Sequence, residues 1–273
     1  MPYFKSPEGT TLHYKDRGKG PTIVFVHGNN VDSQFWSYQI AVLSENGVRT
    51  IAPDRRGHGR SEYVANGQDY DTYASDLAAL IEFADLRGVT LVGHSTGANA
   101  IARYIARYGA QRVAGAVLVA MVNPNPFSPD DAAAIEATNQ IIDATLNDRP
   151  QYFDSLKEAF FGPSVSEVMM NAILGHCYTI PLDVALDTVR IFLDPRSDIR
   201  EDLRALTIPT LIVHGDADTF SPFEQSGKVA HDVIDGSRVL LYEGASHGLT
   251  ISEQGRFTSD LLAFVESTSA VAH

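Results

Sequence analysis

Short, unbroken apolar runs alternate along this chain with longer stretches of helical period, and that rhythm leaves few folds open. Thr22–His27 (TIVFVH), Thr50–Asp54 (TIAPD), Thr90–Gly93 (TLVG), Gly115–Ala120 (GAVLVA), Thr210–His214 (TLIVH) and Arg238–Tyr242 (RVLLY) have the composition of strands. Most lack polar–apolar alternation, as strands covered on both faces of a parallel sheet should. Tyr73–Leu86, Thr96–Tyr108, Phe223–Val233 and Glu253–Val265 read as helices between them. The β-α-β-α order predicts an α/β fold with a mostly parallel, doubly wound sheet. Thr11–Asp16 (TLHYKD) does alternate, and with the turn-like Arg17–Pro21 (RGKGP) it predicts a leading antiparallel hairpin.

Residues 123–202 break the rhythm. They open on NPNPFSPD, carry helical stretches near Asp130–Asn147 and Ser166–Gly175, and contain no strand candidate. We expect a helical cap inserted over a pocket, with residues 1–122 and 203–273 forming the core domain. The alternative is a set of helices that thickens one edge of the sheet.

Composition narrows the partners. The chain has 273 residues, 44% hydrophobic and 20% charged, enough for one domain with a sizeable core. With 21 Lys plus Arg against 34 Asp plus Glu, the formal charge of −13 disfavours nucleic acid and anionic membranes as partners. A single cysteine, Cys177, suits a reducing compartment. No apolar run reaches the roughly 18 residues of a membrane span, and the opening residues do not resemble a secretory signal. A cytoplasmic location is the expectation.

Gly93-His94-Ser95-Thr96-Gly97 has the form G-x-S-x-G, follows a strand and opens a helix. That context makes the motif specific, because a sharp strand-to-helix turn lifts the serine hydroxyl above the sheet. A serine at its free pKa is a weak nucleophile and requires a base, and the base requires an orienting carboxylate. Partners in this architecture follow as acid, then histidine, at later strand ends. Asp218, after TLIVH, and His247, after RVLLY, are the candidates. Asp216 competes with Asp218 and has the alternative reading of ordering its turn.

Oxyanion donors are expected from the backbone N–H groups of Thr96 and Asn29, the latter in His27-Gly28-Asn29-Asn30. Asp54–Ser61 (DRRGHGRS) fails the phosphate-loop patterns and reads as a tight structural loop. No metal-ligand spacing occurs, so neither metal nor cofactor is expected. Asn30, His94, Phe127 and Phe220 are candidates for the substrate pocket.

Taken together, HGN, DRRGHGRS, GHSTG, HGDAD and EGASHG resemble the α/β-hydrolase fold superfamily over about residues 10–266. The stretches DTYASDLAALIEFADLRGVTLVG, ARYIARYGAQRVAGAVLV and PTLIVHGDADTFSPFEQSGK are most similar to the cofactor-free (non-haem) chloroperoxidase, aryl esterase and perhydrolase family. The resemblance implies an α/β-hydrolase fold of some eight strands. It also implies a Ser95–His247–Asp218 triad, with Asn29 and Thr96 as oxyanion donors. It implies hydrolysis of small esters through an acyl-enzyme, with transfer of the acyl group to hydrogen peroxide and halide oxidation as a side activity.

Two departures stand out. Asn29 occupies a position where the family carries an aromatic residue, and Ala98-Asn99 follows the motif in place of further glycines. A less apolar acyl pocket near Asn29 is expected, and a lactone or other acyl substrate is the alternative. A non-hydrolytic receptor, lyase or oxygenase on the same scaffold is a rival from another class.

Overall fold

The computed structural model describes residues 2–125 and 131–269. Its strands are β1 (Tyr3–Lys5), β2 (Thr11–Arg17), β3 (Thr22–Val26), β4 (Arg49–Pro53), β5 (Val89–His94), β6 (Val113–Val119), β7 (Thr210–Gly215) and β8 (Arg238–Tyr242). They form one eight-stranded sheet in the order β1-β2-β4-β3-β5-β6-β7-β8. From β4 to β8 in that order every pairing is parallel, whereas β2 is antiparallel to both β1 and β4. The α/β-hydrolase architecture and the doubly wound sheet expected from the sequence are both present.

Helices cover both faces. They are α1 (Ser37–Glu45), α2 (Tyr70–Phe83), α3 (Thr96–Tyr108), α4 (Ala132–Phe161), α5 (Glu167–Cys177), α6 (Leu182–Arg190), α7 (Arg200–Leu203), α8 (Gly227–Val233), α9 (Leu249–Ser252) and α10 (Gln254–Ser269). Successive residues of one strand feed opposite cores, as the two-residue period of a strand requires. Val24 and Leu91 pack with Leu77, Leu80 and Ile101 of α2 and α3, while Phe25 and Val92 pack with Leu43, Phe257 and Leu261 of α1 and α10. This two-sided burial is why most of the strand runs lack polar–apolar alternation.

The leading hairpin differs from expectation. Its arms are β1 and β2, whose turn lies between Lys5 and Thr11, and β2 then pairs with β4. The glycine-rich 17–21 segment therefore crosses to β3 rather than closing a hairpin. His13 at the alternating polar position is buried, because its Nδ1 reaches Asp54 Oδ2 at 2.8 Å.

Between β6 and β7 the described residues form α4 to α7 and no strand. Helix α4 bends at Asp148 (φ −157°, ψ 79°), two residues before Pro150, whose ring and missing N–H interrupt a helix. Asp148 Oδ1 accepts from Gln151 N at 3.0 Å and so restarts the helix. The second half carries Tyr152, Phe153, Leu156, Phe160 and Phe161 to a cavity above the ends of the parallel strands.

Candidate active site

Strand β5 is buried at every residue and delivers Ser95 at its end. Ser95 has φ 56° and ψ −126°, a backbone conformation costing about 1–3 kcal/mol that persists only where its surroundings impose it. Gly93 and Gly97 explain how it is imposed. A Cβ on Gly97 would lie 2.3 Å from the Val26 carbonyl, and one on Gly93 would lie 2.6 Å from Gly97 O. Only glycine permits this close approach of β3, β5 and α3. Ser95 N donates to Val119 O at 2.9 Å, anchoring the turn to β6.

Asp218 and His247 follow β7 and β8 and meet from opposite loops. His247 Nδ1 stands 2.7 Å from Asp218 Oδ2. The other carboxylate oxygen accepts from the N–H groups of Phe220 and Ser221, each at 2.9 Å. His214 Nε2 lies 3.4 Å from Oδ2 and donates to Ser221 O at 2.8 Å. Burial opposes a charge on Asp218. The facing His247, the bonds to both histidines and the Ser221 N–H outweigh it and hold the carboxyl well below the usual carboxylate range. Asp216 is exposed and its Oδ1 accepts from Gly244 N at 2.6 Å, tying the β7 and β8 loops together.

His94 is fully buried, with its pKa depressed to about 3 by burial and by His247. Its Nε2–H donates to the His247 carbonyl at 2.9 Å, fixing the backbone that carries the His247 ring. The expectation that His94 lines the pocket is corrected by this placement. Its ring is wedged among Phe35, Phe160 and His247, beside the cavity and not on its wall.

A hydrogen-bond chain runs behind Asn29 and Thr96. Arg55 is buried, and its Nη2 donates to His27 O at 2.5 Å and to Thr96 Oγ1 at 3.3 Å. Thr96 Oγ1 donates to Asn29 Oδ1 at 2.8 Å, and Asn29 Nδ2 donates to Thr188 O of α6 at 2.7 Å. The Asn29 amide is thus engaged at both ends, and the polarity expected there is turned away into this chain. Sequence reasoning missed Arg55 and Thr188. The one available signal was the departure at Asn29 itself, since a buried amide requires partners.

Asp54 holds the surrounding loops. Its carboxylate accepts from Ser33 N at 2.8 Å and Arg60 N at 3.0 Å and faces His13. Burial opposes its charge, but these partners outweigh it and hold the carboxyl well below its ordinary value. DRRGHGRS is accordingly a loop organised around one buried anion.

Ser95 and His247 open onto a single cavity of about 240 Å³. Asn29, Asn30 and Phe220 also line it, and α4, α5 and α6 supply most of the remaining wall. Phe127, the other pocket candidate, lies outside the described residues.

A mostly parallel sheet with a strained serine at one strand end and an Asp–His pair at two others defines the α/β-hydrolase class of enzyme. The chain belongs to the alpha/beta hydrolase family, whose model matches residues 23–260. It is 37% identical to a non-heme haloperoxidase of Rhodococcus erythropolis, covering 98% of this chain and 100% of that protein. It is 34% identical to a bifunctional esterase/perhydrolase of Acinetobacter calcoaceticus, again over 98% and 100%. Among solved structures, a bromoperoxidase from Bacillus anthracis superimposes with a TM-score of 0.89 at 35% identity, covering 97% of this chain and 99% of that one. No helix of the described residues is long and apolar enough to cross a membrane.

Proposed function

We propose that this chain is a serine carboxylesterase acting on small esters, with residues 123–202 as a helical cap over its acyl cavity. One observation carries the reading: Ser95 and His247 share one cavity wall, and the His247 Nδ1 is held 2.7 Å from Asp218. With Nδ1–H directed at the carboxylate, Nε2 is the free base that takes the Ser95 proton as Oγ attacks the ester carbonyl. Asp218 stays ionised throughout, since both its oxygens are already accepting. It orients the ring and stabilises the imidazolium. The backbone N–H groups of Asn29 and Thr96 receive the oxyanion, and the imidazolium then protonates the departing alcohol. Water, activated by the same histidine, resolves the acyl-enzyme.

Hydrogen peroxide in place of that water yields a peracid, and the names of the relatives favour this as a second outcome at the same site. Bromination by the enzyme is then expected to require added acetate, and bromination independent of any carboxylic acid contradicts the peracid route. The hydrolase reading is tested by Ser95→Ala. Turnover of p-nitrophenyl acetate is expected to fall by at least about 10³-fold, within the range seen when such nucleophiles are removed. Circular dichroism should match that of the parent, and retained turnover in a folded variant removes Ser95 from the mechanism.

A further inference from the structure

An ionised carboxylate offers about four acceptor sites, two on each oxygen. On Asp218 the Oδ1 atom takes the N–H groups of Phe220 and Ser221. Oδ2 faces His247 Nδ1 at 2.7 Å, and beside it stands His214 Nε2 at 3.4 Å. His214 lies on β7, four residues before Asp218, and both side chains are fully buried.

The fold makes room for this second imidazole and fixes it. A Cβ on Gly227 would lie 2.8 Å from His214 Nδ1, so α8 begins on glycine where the ring needs the space, and the Phe223 ring stands 5.6 Å away. Ser221 O only accepts, so its 2.8 Å contact puts the ring proton on Nε2. Nδ1 has no partner among the described residues, and a second proton there would be stranded. Ser221 grips both groups. Its N–H bonds Asp218 Oδ1, its carbonyl takes the His214 N–H, and its Oγ donates to Met121 O at 2.8 Å. The His214 N–H is thus shared between Ser221 O and the Asp218 oxygen that faces His247, with the longer arm on Asp218.

We propose that His214 is a positioning residue of the triad, a second N–H donor that holds the Asp218 oxygen facing His247 and takes up part of its charge. This rests on the esterase reading above. His214 does not line the cavity, so it acts through Asp218. The carboxylate favours a proton on the His247 ring, and a second donor on the same oxygen offsets part of that pull. Without the donor His247 is more readily protonated, and a protonated ring is no base.

Other groups near that ring titrate elsewhere. Asp218 is held well below the usual carboxylate range. His94, its ring centroid 4.9 Å from that of His247, lies at about 3. On the cavity wall burial raises Tyr152 and Cys177, the latter to about 12, and the bond to Asp154 raises Lys157. The acid limb of kcat/KM is therefore left to His247.

The test is that pH profile for p-nitrophenyl acetate, read at the isosbestic wavelength of the product, in His214→Leu and His214→Gln. Leucine removes the donor and keeps the bulk, whereas the glutamine amide brings an N–H near the Nε2 position. The acid limb of His214→Leu is expected to move up by about half a pH unit, a loss of about threefold on the limb, with KM within about twofold. His214→Gln should return the limb to its parental place. An unmoved limb in His214→Leu overturns the inference, and so does a glutamine variant that behaves as leucine does, since that is packing alone.

Should the leucine variant not fold, the bond is read by proton NMR with isotope-labelled histidine and His214 left intact. The His214 Nε2–H proton is expected to move upfield in Asp218→Ala, and an unmoved proton overturns the inference. A parent that does not turn over the ester, or turnover that survives Ser95→Ala, removes the esterase reading and this inference with it.

Discussion

Thr96 stands between a buried cation and an amide, and its hydroxyl bonds to both. Thr96→Val leaves Asn29 Oδ1 without its donor and Arg55 Nη2 with His27 O alone. The Asn29 backbone, one of the two proposed oxyanion donors, loses that lateral support. We expect kcat for p-nitrophenyl acetate to fall about tenfold, a part of the 100-fold or more that a whole donor is worth. KM should stay within about twofold and Thr96→Ser should restore kcat, since the missing support acts on charge that develops only in the transition state. Steady-state kinetics of the two variants separates this from a general loss of packing, which serine would not repair. At this scale the sequence already favoured Asp218 over Asp216 as the partner of His247, and the structure adds the contacts: His247 faces Asp218, while Asp216 accepts from Gly244 N.

The element that depends most on single residues is the turn from β5 into α3. Gly97→Ala places a methyl group 2.3 Å from the backbone carbonyl of Val26, the last residue of β3. Overpacking of this kind costs about 1–3 kcal/mol or more, and urea unfolding should report it directly. Unchanged stability would mean that β3 and α3 do not approach as closely as described. The inner strands were legible because each repeats one buried environment along its length, as β5 does, and the bounds of the edge strand β8 and of α3 also match expectation. Elements that were missed are short. Strand β1 has three residues with only Phe4 buried, and α1 and α6 have nine residues each, under the window of about 11 that a helical period requires. The α4 extension to Phe161 was hidden by Pro150, a residue that ends more helices than it restarts.

Taken whole, the molecule hides several histidines that its unfolded chain would expose. His58 and His94 are fully buried, and burial together with Arg55 or His247 lowers each from 6.5 to about 3. Between those values the unfolded chain binds protons that the folded protein excludes, so stability is complete above about pH 6.5 and is lost as pH falls. From pH 7 to pH 5 each contributes a loss of about 2 kcal/mol, with 6.5 as the unfolded value. Urea titrations at pH 7, 6 and 5 should resolve this slope, and His58→Asn should flatten it by one histidine's share. A flat profile contradicts the burial of these rings.

The sequence by itself determined the two-sided sheet, the strand ends at which chemistry collects, and the glycines of the serine turn, because each is written in a few adjacent residues. It also supported the resemblance to the hydrolase family. Only the tertiary structure decided which helices wall the cavity and which partners engage the Asn29 amide. The physical reason is range. Local periodicity is set by neighbours along the chain, whereas Asn29 and Thr188 are 159 residues apart and meet only when the sheet has assembled between them.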